Sequence, residues 1–366
     1  MPDAKPWDLV VNRAAIDDFQ IISKPHLDVD AIGDGQLSIE VDRCGLSANN
    51  ILYAVLGERN HYWSIFPARE ESSGIVPVWG FGDVVSSKHP EIKVGERLYG
   101  YFPLGTHAQL AVADLSGRRF RDPSPHRQQA AAPYHMYTRV SGISGLDGLA
   151  GDRYAVLRPL FSVSFLANAY FSAQNFFGGE AVIISSASSK TSIALAYLVH
   201  RDHPEISVVG LTSDKHRSFV EGLGYYDEVV GYDAITSLQK QRKVIFFDVA
   251  GNWEARAILH QHFADYIVHS ARVGLAHWNA KPSTAALPGP APKRFFGPDY
   301  IRLYSEEWGP AEFARRFDNS FLGFAESAKS WLEIVECRGS SRIARAYDDA
   351  VQGKISPHQG YILAMK

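Results

Sequence analysis

The four residues Ala181-Val182-Ile183-Ile184 constrain the fold of this chain more than any other segment. An apolar run without alternation is what a strand carries when both of its faces are covered, as in a parallel sheet flanked by helices. A serine-rich turn follows, Ser185-Ser186-Ala187-Ser188-Ser189-Lys190-Thr191, and then apolar residues at helical spacing: Ile193, Ala194, Tyr197 and Leu198. The alternation continues with a strand at Ile206–Leu211, a helix from Asp214 to Leu223 stopped by Gly224, and strands at Glu228–Val230 and Val244–Phe247. Strands alternating with helices predict a parallel sheet with right-handed crossovers. The expectation is an α/β fold with a doubly wound, nucleotide-binding type of domain.

The preceding sequence has a different texture. Leu37–Asp42 alternates apolar and polar residues as a half-buried strand does. Ser47-Ala48-Asn49-Asn50 is a capping cluster that opens a helix through Ile51-Leu52-Tyr53. From Gly74 to Ala113, short β segments punctuated by Gly and Pro predict a mainly β domain over the first 125 residues or so. Beyond the parallel sheet, Lys281–Pro298 reads as a loop, Glu306–Glu336 as helical, Ile343–Val351 as a helix, Gly353 as a turn and Gly360–Leu363 as a last strand.

The 366 residues suit two domains. A net charge of −3 without a basic stripe argues against a nucleic-acid partner. Two cysteines, Cys44 and Cys337, are too few for a disulfide framework or a four-thiolate zinc lobe. The start of the chain lacks a signal-peptide core, and the longest apolar stretch, Tyr154–Phe177, is broken by Arg158 and Pro159, which makes it a poor membrane span. The expected setting is cytoplasmic and the expected partner a small-molecule substrate.

Parallel sheets bind ligands beyond the carboxyl ends of their strands, where helices offer unpaired N–H groups to anions. The serine-rich turn occupies that place. Small side chains let a pyrophosphate approach the backbone, and the hydroxyls of Ser185, Ser186, Ser188, Ser189 and Thr191 add donors, with Lys190 as a cation; the alternative is a plain serine helix cap. Ser189-Lys190-Thr191 is no P-loop, since Ile184 and Ser189 stand where that motif needs Gly. At the second strand's end, Thr212, Ser213, Lys215 and Arg217 suit a 2′-phosphate better than a ribose diol. Asp214 keeps the diol open, and Lys215 and Arg217 also fit an ordinary solvated helix face. The cofactor expected is NADP(H).

With these residues placed, the chain resembles the medium-chain dehydrogenase/reductase superfamily, on its zinc-free quinone oxidoreductase and enoyl reductase side. Val41–Asn50 resembles the "CG(L/I)…N" segment, Val94–Gly100 the "GDRV" strand and Gly105–Gln109 the "GGYAEY" segment. Gly179–Ile184 is similar to "GE(T/W)VLV", Gly222–Val230 to "LGAD.VI" and Phe247–Gly251 to "FD.VG". The resemblance implies a GroES-like substrate domain over residues 1–157, a Rossmann-type NADP-binding domain over 158–320, and a return to the first domain over 321–366. It adds Tyr232, Ala250, Gly251 and Phe296 to the cofactor-binding candidates, and implies a homodimer. Residues 134–154 read as an insertion, and the glycines of the nucleotide loop are replaced by Ser188, Ser189 and Lys190.

Cys44 stands where zinc-dependent relatives place a ligand, yet Pro77–Gly82 lacks the next one, so no metal is expected. Without zinc, the resemblance implies hydride addition to quinones or activated C=C bonds, with a side chain supplying one proton. The candidates are Tyr62, Tyr53 and Asn50, with Tyr134, His135 and Tyr137 behind them; each tyrosine can equally be packing, and Asn50 can equally cap its helix. Trp63, Phe66, Trp79 and Phe81 fit either a substrate pocket or the core. Two other functions fit the same fold: a non-catalytic NADP(H)-binding paralogue, and an isomerase or hydratase.

Overall fold

The structure, a computed structural model, describes residues 5–25, 32–143, 145–273 and 286–366. The chain divides into two compact units, residues 1–157 with 332–366, and residues 158–331.

In the first unit, β1 (Trp7–Asn12) and β2 (Ala15–Ser23) form a hairpin. Then come β3 (Gln36–Leu46) and helices α1 (Ala48–Val55) and α2 (Tyr62–Ile65). Seven strands follow: β4 (Ser73–Ile75), β5 (Pro77–Ser87), β6 (Arg97–Pro103), β7 (His107–Ala111), β8 (Ala113–Ser116), β9 (Arg119–Arg121) and β10 (Met136–Arg139). β4 completes a three-stranded sheet on β1, and the others join one large sheet. The alternation in β3 holds except at Ser38: Leu37, Ile39 and Val41 are buried and Glu40 and Asp42 half-buried, but Ser38 is fully buried as well. Residues 136–139, expected within an insertion, are an integral strand between β6 and β9, with Tyr137 fully buried.

Helix α3 (Gly148–Ala173) contains Pro159. The helix continues through it because Ala155, Val156, Leu157, Leu160 and Phe161 are all buried, and that burial outweighs the lost backbone bond. The bond lost is the one that would end on the Ala155 carbonyl. That carbonyl faces β3 at Gly45, where a Cβ would stand 2.7 Å from its oxygen. Arg43 of β3 also grips Asp152 of the helix with a two-pronged bond of 2.6 and 2.8 Å.

The second unit carries the parallel sheet. Before it, Asn175, Phe176, Phe177 and Gly178 all have left-handed backbone, φ 47°, 48°, 54° and 71°. Phe177 stacks on His269 at 4.3 Å, and Phe176 meets His203 edge-on at 4.7 Å. The elements are β11 (Ala181–Ser185), α4 (Lys190–Asp202), β12 (Ser207–Thr212), α5 (Asp214–Gly222) and β13 (Glu228–Gly231). β14 (Val244–Asp248), α6 (Trp253–Phe263), β15 (Ile267–Arg272) and β16 (Lys293–Arg294) follow, then α7 (Gly297–Trp308) and α8 (Pro310–Ser327). The strand order is β13-β12-β11-β14-β15-β16, every pair parallel. Order reverses between β11 and β14, the position where such sheets open a crevice. Of the loop expected over Lys281–Pro298, residues 281–285 lie outside the described residues.

The last elements return to the first unit: β17 (Glu333–Arg338), α9 (Ser340–Val351) and β18 (Gln359–Ala364). The return expected at 321 would cut α8, and the chain crosses after Trp331 instead. Residues 333–336, expected as helix, form a strand because all of β17 pairs in parallel with β18, which in turn lies antiparallel to β3. Among the described residues, no helix is long and apolar enough to cross a membrane.

Candidate nucleotide site and tyrosine cluster

The turn after β11 is built by its own hydroxyls. Ser185 donates to Asp248 Oδ1 at 2.8 Å and accepts from the backbone N–H groups of Val249 and Ala250, each at 2.9 Å. Its hydroxyl is consumed in tying the ends of β11 and β14 together. Ser186 holds left-handed backbone at φ 52°, the conformation for which nucleotide loops use glycine, and its N–H donates to the Tyr232 hydroxyl at 2.8 Å. Burial raises the Tyr232 phenol to about 12, so it stays protonated. Ser189 caps α4, its hydroxyl accepting from Ser192 N at 3.2 Å. Ser188, Lys190 and Thr191 are half-buried around the turn. Burial pulls Lys190 down to about 8.

At the neighbouring strand exit, Thr212 is buried, Ser213 and Lys215 are exposed, and Arg217 is half-buried. Arg217 donates from Nη2 to Asp214 at 3.1 Å, whereas its Nε is buried with no hydrogen-bond partner among the described residues. A buried guanidinium N–H without a partner fits an anionic ligand. The imidazole of His216 spans the two turns, with Nδ1 3.3 Å from Ser188 Oγ and 3.4 Å from Ser213 Oγ. Burial, helped by Lys215, lowers its pKa below the ordinary histidine value. The third turn carries Ala250, buried, and Gly251, at φ 66° with its N–H on Asp248 Oδ1 at 3.0 Å. Phe296 lies farther along at the start of α7, under the Arg294 guanidinium at 4.2 Å.

Sequence reasoning missed two residues beneath this site. Asp248 ends β14 fully buried and takes both Nε (2.8 Å) and Nη2 of buried Arg256 on Oδ2. It thereby orders all three residues Ser185, Ala250 and Gly251. The signal was present in Phe247-Asp248-Val249-Ala250-Gly251, where the acid sits on an otherwise apolar strand. His216 was passed over because its neighbours Lys215 and Arg217 carry the fixed charges.

The proton-donor candidates lie in the first unit. Asn50 is buried and fully engaged: Oδ1 accepts from Ser47 N at 2.9 Å in a capping box, and Nδ2 donates to the Pro77 carbonyl at 3.2 Å. It acts as a cap that also pins α1 to β5. The Tyr53 hydroxyl accepts from Asn49 Nδ2 at 2.6 Å and Trp79 Nε1 at 3.1 Å, and burial pushes its pKa up. Tyr62 donates to the Tyr134 hydroxyl at 3.0 Å, and the two rings meet edge-on at 5.0 Å. Tyr101 packs between them, 5.2 Å from both Tyr53 and Tyr134. The structure thus gathers Tyr53, Tyr62, Tyr101, Tyr134 and Trp79 into one cluster. Tyr137 stands apart, donating to the Tyr101 carbonyl and accepting from Arg127, and His135 is buried beside Gln128. Trp63 is core, wedged against Gly57 and Gly74, and Phe66 lies under Arg127. Phe81 is buried with Arg97 over its ring. Cys44 is buried against Gly80, and burial raises its thiol pKa. No group of three or more His, Cys, Asp or Glu side chains that could hold a metal occurs among the described residues.

Solved structures share this architecture over nearly the whole chain. CurA from Vibrio vulnificus, in complex with NADPH, aligns at TM-score 0.58 and 13% identity, covering 98% of this chain and 99% of its own. The yhdH oxidoreductase from Salmonella enterica, in complex with NADP, aligns at 0.53 and 13%, covering 98% and 100%. The quinone oxidoreductase from Coxiella burnetii aligns at 0.55 and 11%, covering 99% and 100%. A Rossmann-type parallel sheet combined with a GroES-like β unit is the fold of the medium-chain dehydrogenase/reductase superfamily, and this chain has it. No curated protein matches its sequence. Within that fold the chain belongs to the family described as "Protein of unknown function (DUF2855)", which matches residues 44–356.

Proposed function

We propose that the chain binds NADP(H) and reduces quinones or activated C=C bonds without zinc. The observation that carries this is the Arg217 Nε–H at the exit of β12, buried with no hydrogen-bond partner among the described residues, together with the hydroxyls and cations gathered at the exits of β11 and β12. Complexes of similarly folded proteins with NADPH and NADP, and the quinone oxidoreductase among them, support the same choice. Ser188, Thr191 and Lys190 would hold the pyrophosphate side, and Ser213, Lys215 and Arg217 the 2′-phosphate. Thr212, Ser185, Ser186, Ser189, Tyr232, Ala250 and Gly251 would shape the loops from beneath, and Phe296 would line the nicotinamide end. When bound, the dihydronicotinamide supplies the hydride. The Tyr62–Tyr134 hydroxyl pair would supply the proton, because Asn50 and Tyr53 spend their polar atoms on structural bonds.

The test is NADPH oxidation across a panel of quinones and enones. If Tyr62 is the donor, Tyr62→Phe lowers kcat about 10²- to 10⁴-fold on accepted substrates. An unchanged kcat would remove Tyr62 from the mechanism. A second reading, NADP(H) binding without turnover, draws on the same engaged state of Asn50 and Tyr53. Tight NADPH binding with no oxidation anywhere in the panel would establish it.

A further inference from the structure

His216 sits where cofactor choice is made, yet it is none of the fixed charges there. It reaches from α5 to the turn after β11, placing Nδ1 3.3 Å from Ser188 Oγ and 3.4 Å from Ser213 Oγ. These are long contacts, which leave the imidazole free to re-pair. Resting on the proposed NADP(H) reading, we infer that His216 links cofactor choice to pH: its imidazole takes up a proton from solvent as the 2′-phosphate binds beside Ser188 and Ser213.

The charges around it allow this. Lys215 precedes it on α5 and, with burial, keeps the free imidazole neutral at pH 7. Asp214 is engaged by Arg217, and Asp233 lies on the Arg217 side of Gly231, so among the described residues no carboxylate is paired with the imidazole. Lys190 stands on the adjoining turn. A phosphate dianion reverses the balance by placing negative charge against Nδ1, which raises the imidazole pKa. The sign follows from linkage. A group whose pKa is raised on binding strengthens binding fully below its free value and ceases to do so as pH rises through its bound value. Discrimination of NADP(H) from NAD(H) is therefore expected to weaken on the alkaline side of neutrality. The phosphate itself, with a second pKa of about 6, releases protons on binding to a cationic site, which is the opposite sign.

The experiment is titration calorimetry of NADP⁺ and NAD⁺ into the full chain at pH 7, in two non-phosphate buffers of different ionisation enthalpy. The apparent heats give the protons exchanged. Expected for the wild type is a clearly larger net proton uptake with NADP⁺ than with NAD⁺, whose pyrophosphate draws only the small uptake of Lys190. His216→Asn should remove the excess uptake with NADP⁺ and weaken NADP⁺ about tenfold, with an unchanged thermal midpoint as the check on folding. His216→Lys, with a charge fixed in place, should keep NADP⁺ affinity and still lose the excess uptake. Equal proton exchange in wild type and His216→Asn would overturn the role of His216 while leaving NADP(H) binding intact. Binding of neither nucleotide by the wild type would overturn the cofactor reading, and this inference with it.

Discussion

Replacing Asp248 by Asn is the sharpest test of how the nucleotide site is held. The carboxylate is 1% exposed and Arg256 is 7% exposed. Oδ2 takes two guanidinium N–H groups, and Oδ1 takes the Ser185 hydroxyl at 2.8 Å and the Gly251 N–H at 3.0 Å. All four partners are donors, so an amide NH₂ facing either pair sets donor against donor and leaves the guanidinium charge buried without its counter-ion. Breaking a buried pair in this way costs about 3–5 kcal/mol. For a unit the size of residues 158–331, about 1 kcal/mol moves Tm by roughly 2–4 °C, so Asp248→Asn should lower it by roughly 6–20 °C. The assay is thermal denaturation followed by near-ultraviolet circular dichroism, alongside Arg256→Met and the double variant Asp248→Asn/Arg256→Met. The double variant removes both charges, and it should be more stable than either single one. A loss below about 1 kcal/mol in Asp248→Asn, or additive losses in the double variant, would refute the argument.

Gly45→Ala should destabilise the first unit by about 2–4 kcal/mol in denaturant unfolding. Its Cβ meets the backbone of Ala155 at 2.7 Å and the Cα of Val156 at 2.9 Å, and neither can swing aside. Lys190 gives a pH signature. With its pKa held at about 8, the cation is present below that value and lost above it, so NADPH affinity should fall as pH rises through about 8. Stability should move the other way, rising between about pH 8 and the ordinary lysine pKa, because only the unfolded chain binds the proton in that window. Fluorescence titration of NADPH and urea midpoints, compared with Lys190→Met, check both signs.

What was legible in the sequence is what local pattern can carry. Ala181–Ile184 announces a doubly covered strand because burial on two faces leaves no polar position, and β12 follows for the same reason, whereas α5 is marked by Gly224 as its stop and β13 by the continuing alternation of strand and helix. α3 was not legible through Pro159, because a proline's cost is local while the burial that outweighs it comes from the whole length of the helix. β17 is hidden because Glu333–Arg338 becomes a strand only through its pairing with Gln359–Ala364. The site was legible as residue types and not as roles. Counting hydroxyls in the serine-rich turn cannot tell that Ser185 is consumed by an aspartate 63 residues away, or that Asn50 has both ends of its amide occupied.

The left-handed turn at Asn175–Gly178 has a consequence for the order in which the second unit assembles. Each of its three non-glycine residues carries about 1–2 kcal/mol against that backbone, so the turn as a whole opposes a fair share of a typical domain's net stability. Local contacts offset part of this: the Phe177 N–H bonds the Gln174 carbonyl, and Tyr170 and Phe171 of α3 lie against Phe177 and Phe176. The tighter ring contacts are those with His269, on β15, and His203, just past α4, which enter the chain later. The reversal that leads into the first strand of the sheet is therefore held in part by elements that follow it in the sequence, and its full support arrives only once β15 has joined.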